Sequence, residues 1–359
     1  MTKSIHISDI RTFRQCRRKW LWSSPLGRNL EPTVPYVPFF TGRAIHHALE
    51  MYYSPKHIPL AKGLDQFLIE ESKVIEQLGP LWPVEKASFE SEVEMMRGIL
   101  DHYQLWTSLD NKVYSDKNLE FISLETEFDV PLRTATGKVS AKARLGGRFD
   151  GVVKHKPTDT YWIWECKTTR SVKELIHSLA NDEQCGVYIH AAQEMLGVPV
   201  AGVLYNIIRK KVPTRPKELQ NGTLSQASNI DCTAFFYRQC VTDMYPDWSP
   251  DTIHGFYGPL LDSLVSKENE FFMRFPIYRT PYEIKGLMKN IFYTANEMLN
   301  PKLQLYPAPS WLNCTMCHFR SPCLTMNSGG EYEILLREEY QLRESSRSIR
   351  AEGLSTDEQ

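Results

Sequence analysis

Apolar residues recur at helical spacing over residues 41–53, where Ile45, Leu49 and Tyr52 share a face. Residues 84–109 are rich in Glu, Met and Leu with no proline after Pro83, and predict a second, longer helix. From Leu119 the period drops to two. Ile122, Leu124, Phe128 and Val130 fall on one side and Glu125 and Glu127 on the other, the pattern of a half-buried strand. Residues 146–154 and 161–168 read as two further strands joined by the turn-forming run HKPTDT. Residues 182–196 predict a helix closed by Gly197, and residues 200–208 a strand buried on both faces. Thr280-Pro281 opens another helix that ends near Asn300-Pro301, and a charged helical tail begins near Glu331. The last dozen residues are expected to be disordered. The strand–strand–helix–strand run at the centre predicts an α/β fold.

Composition narrows the class without naming a chemistry. The chain has 359 residues, 42% hydrophobic and 24% charged, which excludes collagen-like, coiled-coil and wholly disordered architectures. A formal charge of −1 leaves nucleic-acid binding to local basic patches. No signal-peptide core is present at the N-terminus. The longest largely apolar stretch, residues 197–208, falls short of the ~20 residues a bilayer span needs. A soluble, cytoplasmic protein with no membrane contact is therefore expected. In a reducing compartment the eight cysteines call for a role other than a disulfide framework.

The densest chemistry lies in GRFDGVV (147–153) and YWIWECKTT (161–169). Alternation along a strand puts Glu165 and Lys167 on one face and Cys166 on the other. A Glu and a Lys at the end of so apolar a strand are costly unless paired or bound to a metal. Asp150 placed across the hairpin from Glu165 supplies two hard oxygen donors for Mg²⁺ or Mn²⁺, with Lys167 beside the reacting phosphate. A purely structural Lys–Glu pair accounts for the same spacing. His46, on the helix after Gly42, would favour Mn²⁺ as an imidazole ligand, with His47 as a competing neighbour. Gln184 and Tyr188 stand at i and i+4 on the later helix.

Cys314-x2-Cys317-x5-Cys323 forms a compact trio, with Cys16 far upstream in FRQCRRKW. Four such thiolates suit either Zn²⁺ or an iron–sulfur cluster; one C-x2-C knuckle with two singletons leans toward the cluster. Cys166, Cys185, Cys232 and Cys240 lack comparable spacing and read as packing residues. Basic runs at Arg17, Arg18 and Lys19, at Lys142, Arg144 and Arg148, and at Arg209, Lys210 and Lys211 are candidate phosphate contacts, with Trp20 and Trp22 as candidate base-stacking rings. Taken alone, each run fits a solvated surface better than a phosphate contact.

Taken in order, these segments resemble the RecB-like branch of the PD-(D/E)xK nuclease superfamily, in particular its iron–sulfur exonucleases. That group includes the fourth Cas family of CRISPR-adaptation nucleases, AddB-type nuclease domains and eukaryotic Dna-two-type nucleases. ISDIRTFRQCRRKW is similar to the family's segment leading into the first cluster cysteine, and GRAIHHALE to its G-x3-H motif. GRFDGVV is similar to the metal-binding Asp strand, WECKT to the E-x-K strand, QCGVY to the Q-x3-Y helix, and C-x2-C-x5-C to the cluster trio. The resemblance implies a restriction-endonuclease-like fold, with a central mixed β-sheet flanked by helices and a helical, cluster-binding cap built from the N- and C-terminal segments. It implies that His46, Asp150, Glu165 and the Cys166 carbonyl bind Mn²⁺ or Mg²⁺, that Lys167 is catalytic, and that Gln184 and Tyr188 support the site or the DNA. Cys16, Cys314, Cys317 and Cys323 would hold a 4Fe–4S cluster.

The expected organisation is an N-terminal segment (1–40) and a nuclease core (41–300) carrying a helical insertion (84–109) and a mobile polar loop (209–229). A cysteine-rich segment (301–330) and a charged tail (331–359) follow. The expected activity is metal-dependent DNA hydrolysis from single strands or frayed ends, in recombination, repair, replication or CRISPR adaptation. An integrase, helicase or recombinase is the expected kind of partner, and without a G-x4-G-K-[ST] motif the chain is not expected to unwind DNA with ATP by itself. The alternative is a catalytically idle DNA-binding or adaptation-complex partner that keeps a structural cluster or zinc.

Overall fold

The computed structural model describes residues 2–33, 40–76, 82–109, 112–268 and 270–343. The chain divides into two compact units. One comprises Met1–Val37, Pro131–Gly147 and Met288–Gln359; the other comprises Pro38–Val130 and Arg148–Leu287.

In the second unit the sheet is built on the part of β4 (Val139–His155) from Arg148 onward, with β5 (Thr160–Thr169), β6 (Val200–Arg209) and β7 (Phe272–Ile277). β4 and β5 are antiparallel, β5 and β6 parallel, and β6 and β7 antiparallel, so the sheet is mixed. A parallel pair needs a crossover, supplied by α6 (Val172–Leu179) and α7 (Glu183–Leu196). Gly197 closes α7 at φ 67, a left-handed conformation that costs glycine little. Helices α3 (Phe40–Tyr53), α4 (Leu60–Glu76) and α5 (Trp82–Leu109) cover one face. Ile45 and Leu49 of α3, Leu64 of α4 and Tyr103 of α5 join Trp162, Trp164 and Cys166 in one core. That is an α/β architecture with a central mixed sheet flanked by helices.

The strand β3 (Leu119–Arg133) pairs with β4 but does not keep a single face. Leu119 is buried and Phe121 packs on the core, whereas Ile122 is 46% exposed. Further along, Phe128 and Val130 are buried. Glu125, at φ 45, stands between the two stretches. One left-handed residue inverts the alternation, as a bulge does, so the uninterrupted period-two reading holds only for the second half.

The segment after β6, expected to be a mobile loop, is fastened to its own helical layer. Leu224 is buried and its N–H donates to the Tyr257 hydroxyl at 3.1 Å, while Tyr237 donates to the Ser225 carbonyl at 3.1 Å. These contacts join α8 (Ala234–Met244) and α9 (Pro250–Glu268) around Cys232, Cys240 and Leu261.

In the first unit β1 (Lys3–His6) runs parallel to the start of β4, from Lys3 opposite Ala143 to His6 opposite Gly146. Helices α1 (Ile7–Gln15) and α2 (Arg17–Ser23) follow. β2 (Leu30–Pro32) pairs antiparallel with β8 (Tyr340–Leu342). Between them in sequence lie α10 (Pro281–Met298), which begins in the other unit, and α11 (Trp311–Thr315), α12 (Arg320–Asn327) and α13 (Tyr332–Glu338). Trp22, Leu30, Phe319, Leu336 and Tyr340 make a small core here. Among the described residues no helix is long and apolar enough to cross a membrane. The final residues, expected to be disordered, lie outside the described ones.

Candidate active site and cysteine cavity

The β4–β5 register pairs Gly151 with Trp164, which makes Asp150 and Glu165 the next positions along the two strands. Asp150 Oδ2 accepts a hydrogen bond from the Cys166 backbone N–H at 2.8 Å. His46 Nδ1 lies 3.5 Å from the same oxygen, and the imidazole also hydrogen-bonds the Cys166 backbone. Gly42 allows α3 this approach: a Cβ there would stand 3.3 Å from Thr168 Oγ1 at the end of β5. The close neighbour is thus a side-chain hydroxyl and not backbone. His47 points elsewhere, its ring 5.8 Å from that of Phe67.

Glu165 is only 3% exposed. Its Oε1 accepts from Lys167 Nζ at 2.6 Å and from Gln184 Nε2 at 3.0 Å, while Gln184 Oε1 lies 3.5 Å from the same ammonium. Gln184 thus bridges the acid and the lysine. It is placed by the first turn of α7, whose cap Asp182 accepts from the Gln184 N–H at 2.8 Å. Tyr188, one turn on, is buried with its ring 5.2 Å from Phe149 and 5.8 Å from Phe128.

Burial sets the charge states. It pushes the Glu165 carboxyl up to about 7, helped by the neighbouring Asp150 and opposed by Lys167. It raises Asp150 too, against the Cys166 N–H, and lowers His46. The remaining carboxylate oxygen, Glu165 Oε2, is buried without a hydrogen-bond partner. Among the described residues no three His, Cys, Asp or Glu side chains converge as a ready-made metal group. The acids are instead organised around internal hydrogen bonds. An unpartnered buried carboxylate oxygen beside a second acid and an imidazole is nevertheless a donor set that a hard divalent cation fits.

The basic residues are less available than the sequence suggested. Arg148 pairs with Glu125 at 2.8 Å, and Arg209 and Lys211 both pair with Asp231. Arg17 pairs with Glu297 and lies over the rings of Phe13 and Tyr306. Arg18 donates to Asn327 Oδ1 at 2.6 Å and to Cys323 Sγ at 3.2 Å. Lys142 is exposed, whereas Arg144 and Lys210 are half-buried. The stacking role expected of two tryptophans is corrected outright. Trp20 and Trp22 are 4% and 3% exposed, spent on Phe13 and on Phe319 and Tyr332, because their helix needs them as its core face.

Cys16, Cys314, Cys317 and Cys323 line one cavity of about 190 Å³, together with Arg18, Lys19 and Trp22. All four are half-buried and free, and burial raises the Cys317 thiol. Cys166, Cys185, Cys232 and Cys240 are fully buried, as packing residues are. The four thiols share the lining of this cavity, but among the described residues no three of them converge closely enough to form a metal group.

A mixed sheet bearing an Asp on one strand and Glu-x-Lys on the next defines a class of metal-dependent nucleases. Residues 5–324 match the model of the PD-(D/E)XK nuclease superfamily, and the chain belongs to that superfamily. No curated protein matches the sequence.

The sequence left unremarked a buried polar set behind β5, comprising Tyr53, Tyr103, Asn206 and Arg274. Asn206 carried a signal, as one amide inside the apolar run VLYNII.

Proposed function

We propose that this nuclease hydrolyses DNA phosphodiester bonds at single strands or frayed ends, as an exonuclease of the RecB-like iron–sulfur branch. The observation that carries the reading is the Gln184-bridged Glu165–Lys167 pair with its unpartnered Glu165 Oε2, adjoining Asp150 and His46. Asp150, Glu165, the Cys166 carbonyl and His46 would hold Mn²⁺ or Mg²⁺. A divalent cation there supplies Lewis acidity toward the phosphodiester. The chain's own residues do the rest. Gln184 fixes the Glu165 carboxylate and steers the Lys167 ammonium. Lys167 offsets the negative charge that grows on the scissile phosphate and orients the attacking water. Tyr188 holds the Phe149 side of the Asp150 strand.

Cys16, Cys314, Cys317 and Cys323 would hold the 4Fe–4S cluster, with zinc as the competing occupant. Arg144, Arg148 and Lys210 remain candidate phosphate contacts. Arg17 and Arg18 serve first to build the cysteine unit. Because so many cations are already paired, the substrate contact is short and salt-sensitive. ATP-driven unwinding falls to a helicase or recombinase partner, and an integrase partner would place the enzyme in spacer processing.

Labelled single-stranded and duplex DNA, incubated with Mn²⁺, Mg²⁺ or EDTA, tests the reading. Metal-dependent release of nucleotides from ends is expected. Absence of metal-dependent cleavage on every form would point to an idle DNA-binding role instead.

A further inference from the structure

One polar row crosses the otherwise apolar layer behind the candidate site. The strand registers place Cys166 beside Asn206, and Asn206 beside Arg274. Asn206 and Tyr103 are fully buried, and Arg274 is 9% exposed. The Tyr103 hydroxyl donates to Asn206 Oδ1 at 3.1 Å and lies 2.8 Å from the Tyr53 hydroxyl. Arg274 donates to Tyr53 Oη at 3.1 Å, to the Tyr114 carbonyl at 2.6 Å and to Asp116. Its guanidinium sits 5.2 Å over both Trp106 and Trp164. At the other end of the row, Asn206 Nδ2 donates to Cys166 Sγ at 3.7 Å.

Stability alone does not account for this row. A buried guanidinium and amide must recover their desolvation through hydrogen bonds, and well-packed apolar residues of similar volume often serve as well. The row ends, however, at a residue whose main chain meets two site side chains. The Cys166 N–H donates to Asp150 Oδ2, and its backbone also meets the His46 imidazole. Cys166 is small and sits in a strand between two others, so the side-chain hydrogen bond from Asn206 adds a directional restraint that packing against sulfur lacks.

We propose that Asn206 and Tyr103 are positioning residues, which hold the Cys166 peptide in the orientation that presents Asp150, the Cys166 carbonyl and His46 to a divalent cation. This inference rests on the metal reading given above. Outer hydrogen-bond partners of metal ligands commonly change metal affinity by about 10–100-fold.

The test is Mn²⁺ alone, titrated into the full-length protein by calorimetry, for wild type, Asn206→Ala and Tyr103→Phe. Leu204→Val is the control for loosened packing, since Leu204 is fully buried on the same strand and in the same core. Asn206→Ala and Tyr103→Phe should weaken Mn²⁺ binding about tenfold or more. The Mn²⁺ needed for half-maximal cleavage should rise by the same factor, with the rate at saturating Mn²⁺ nearly unchanged. Leu204→Val should lower the melting temperature and leave Mn²⁺ affinity as in wild type. If Asn206→Ala does not fold, Tyr103→Phe decides, because it keeps the ring and removes one hydroxyl. Wild-type affinity in the folded Asn206 and Tyr103 variants would overturn the inference alone, as would equal weakening by Leu204→Val. A wild type that binds no Mn²⁺ would overturn the metal reading and this inference together.

Discussion

Glu165 and Lys167 sit two residues apart on one strand face, yet their placement depends on a third residue from a helix. Gln184 accepts from one and donates to the other, so the acid and the ammonium are fixed as a unit. Lys167→Ala should leave the melting temperature close to wild type, because Lys167 is half-buried and lies off the tryptophan-lined core face. Cleavage at saturating metal should fall about a hundred- to a thousand-fold, the usual loss for one charge-stabilising donor. Near wild-type turnover in that variant would remove Lys167 from the chemistry. The Glu165 carboxyl, raised to about 7 by burial, also sets a pH response. Below that pH the metal-free protein keeps the proton, and a cation must displace it. Mn²⁺ affinity should therefore fall as pH drops from 7 to 6, by up to about tenfold, and level off toward pH 8. His46 is shifted the other way, since burial lowers it and so favours the neutral imidazole. Mn²⁺ titrations at the three pH values check the sign.

At the scale of elements, the site is the meeting of β4, β5, α3 and α7. The start of α7 is set by a single side chain, Asp182, which caps the N–H of the very residue that bridges Glu165 and Lys167. Asp182→Ala should cost about 1 kcal/mol of stability, as lost caps do. It should lower turnover more than it raises the metal requirement, since Gln184 is displaced while Asp150 and the Cys166 peptide are not. Thermal melting and metal-dependence curves separate the two effects. The same scale explains the misread strand β3. Period-two counting assumes every residue is extended, and Glu125 at φ 45 is not. No alternation rule detects a left-handed glutamate, because its neighbours pay no compositional tribute to it.

At the scale of the whole molecule, the first unit is assembled from segments far apart in sequence. Cys16 and the 314–323 trio share one cavity although almost the whole chain separates them. A metal centre there would close a loop of roughly 300 residues, for which chain entropy gives an upper figure of about 5–6 kcal/mol. Anaerobically purified protein should be brown and contain iron and sulfide. Cys16→Ala should lose colour and solubility before it loses anything specific to the Asp150 site. A colourless protein holding one zinc would replace the cluster and keep the four-cysteine site. A stable, fully coloured Cys16→Ala protein would remove Cys16 from it.

The sequence by itself determined the elements whose signals are local. The E-x-K strand, the helix closed by Gly197, the helix opened at Thr280-Pro281 and the C-x2-C-x5-C trio follow from periodicity, capping and spacing, which act over a few residues. It also marked Asp150, Glu165 and Lys167, because polar groups at fixed offsets beside apolar runs stand out, whereas His46 and Gln184 are singled out only through the resemblance to a family. Only the tertiary structure decided which of these side chains meet. It chose His46 over His47 as the imidazole facing Asp150, turned Trp20 and Trp22 inward, and paired Arg148, Arg209 and Lys211 with acids that lie elsewhere in the sequence. It alone joined Tyr103, Asn206 and Arg274 behind Cys166. Such contacts depend on strand register and helix docking, which are fixed by the packing of the whole core and leave no periodic trace in the residues that make them.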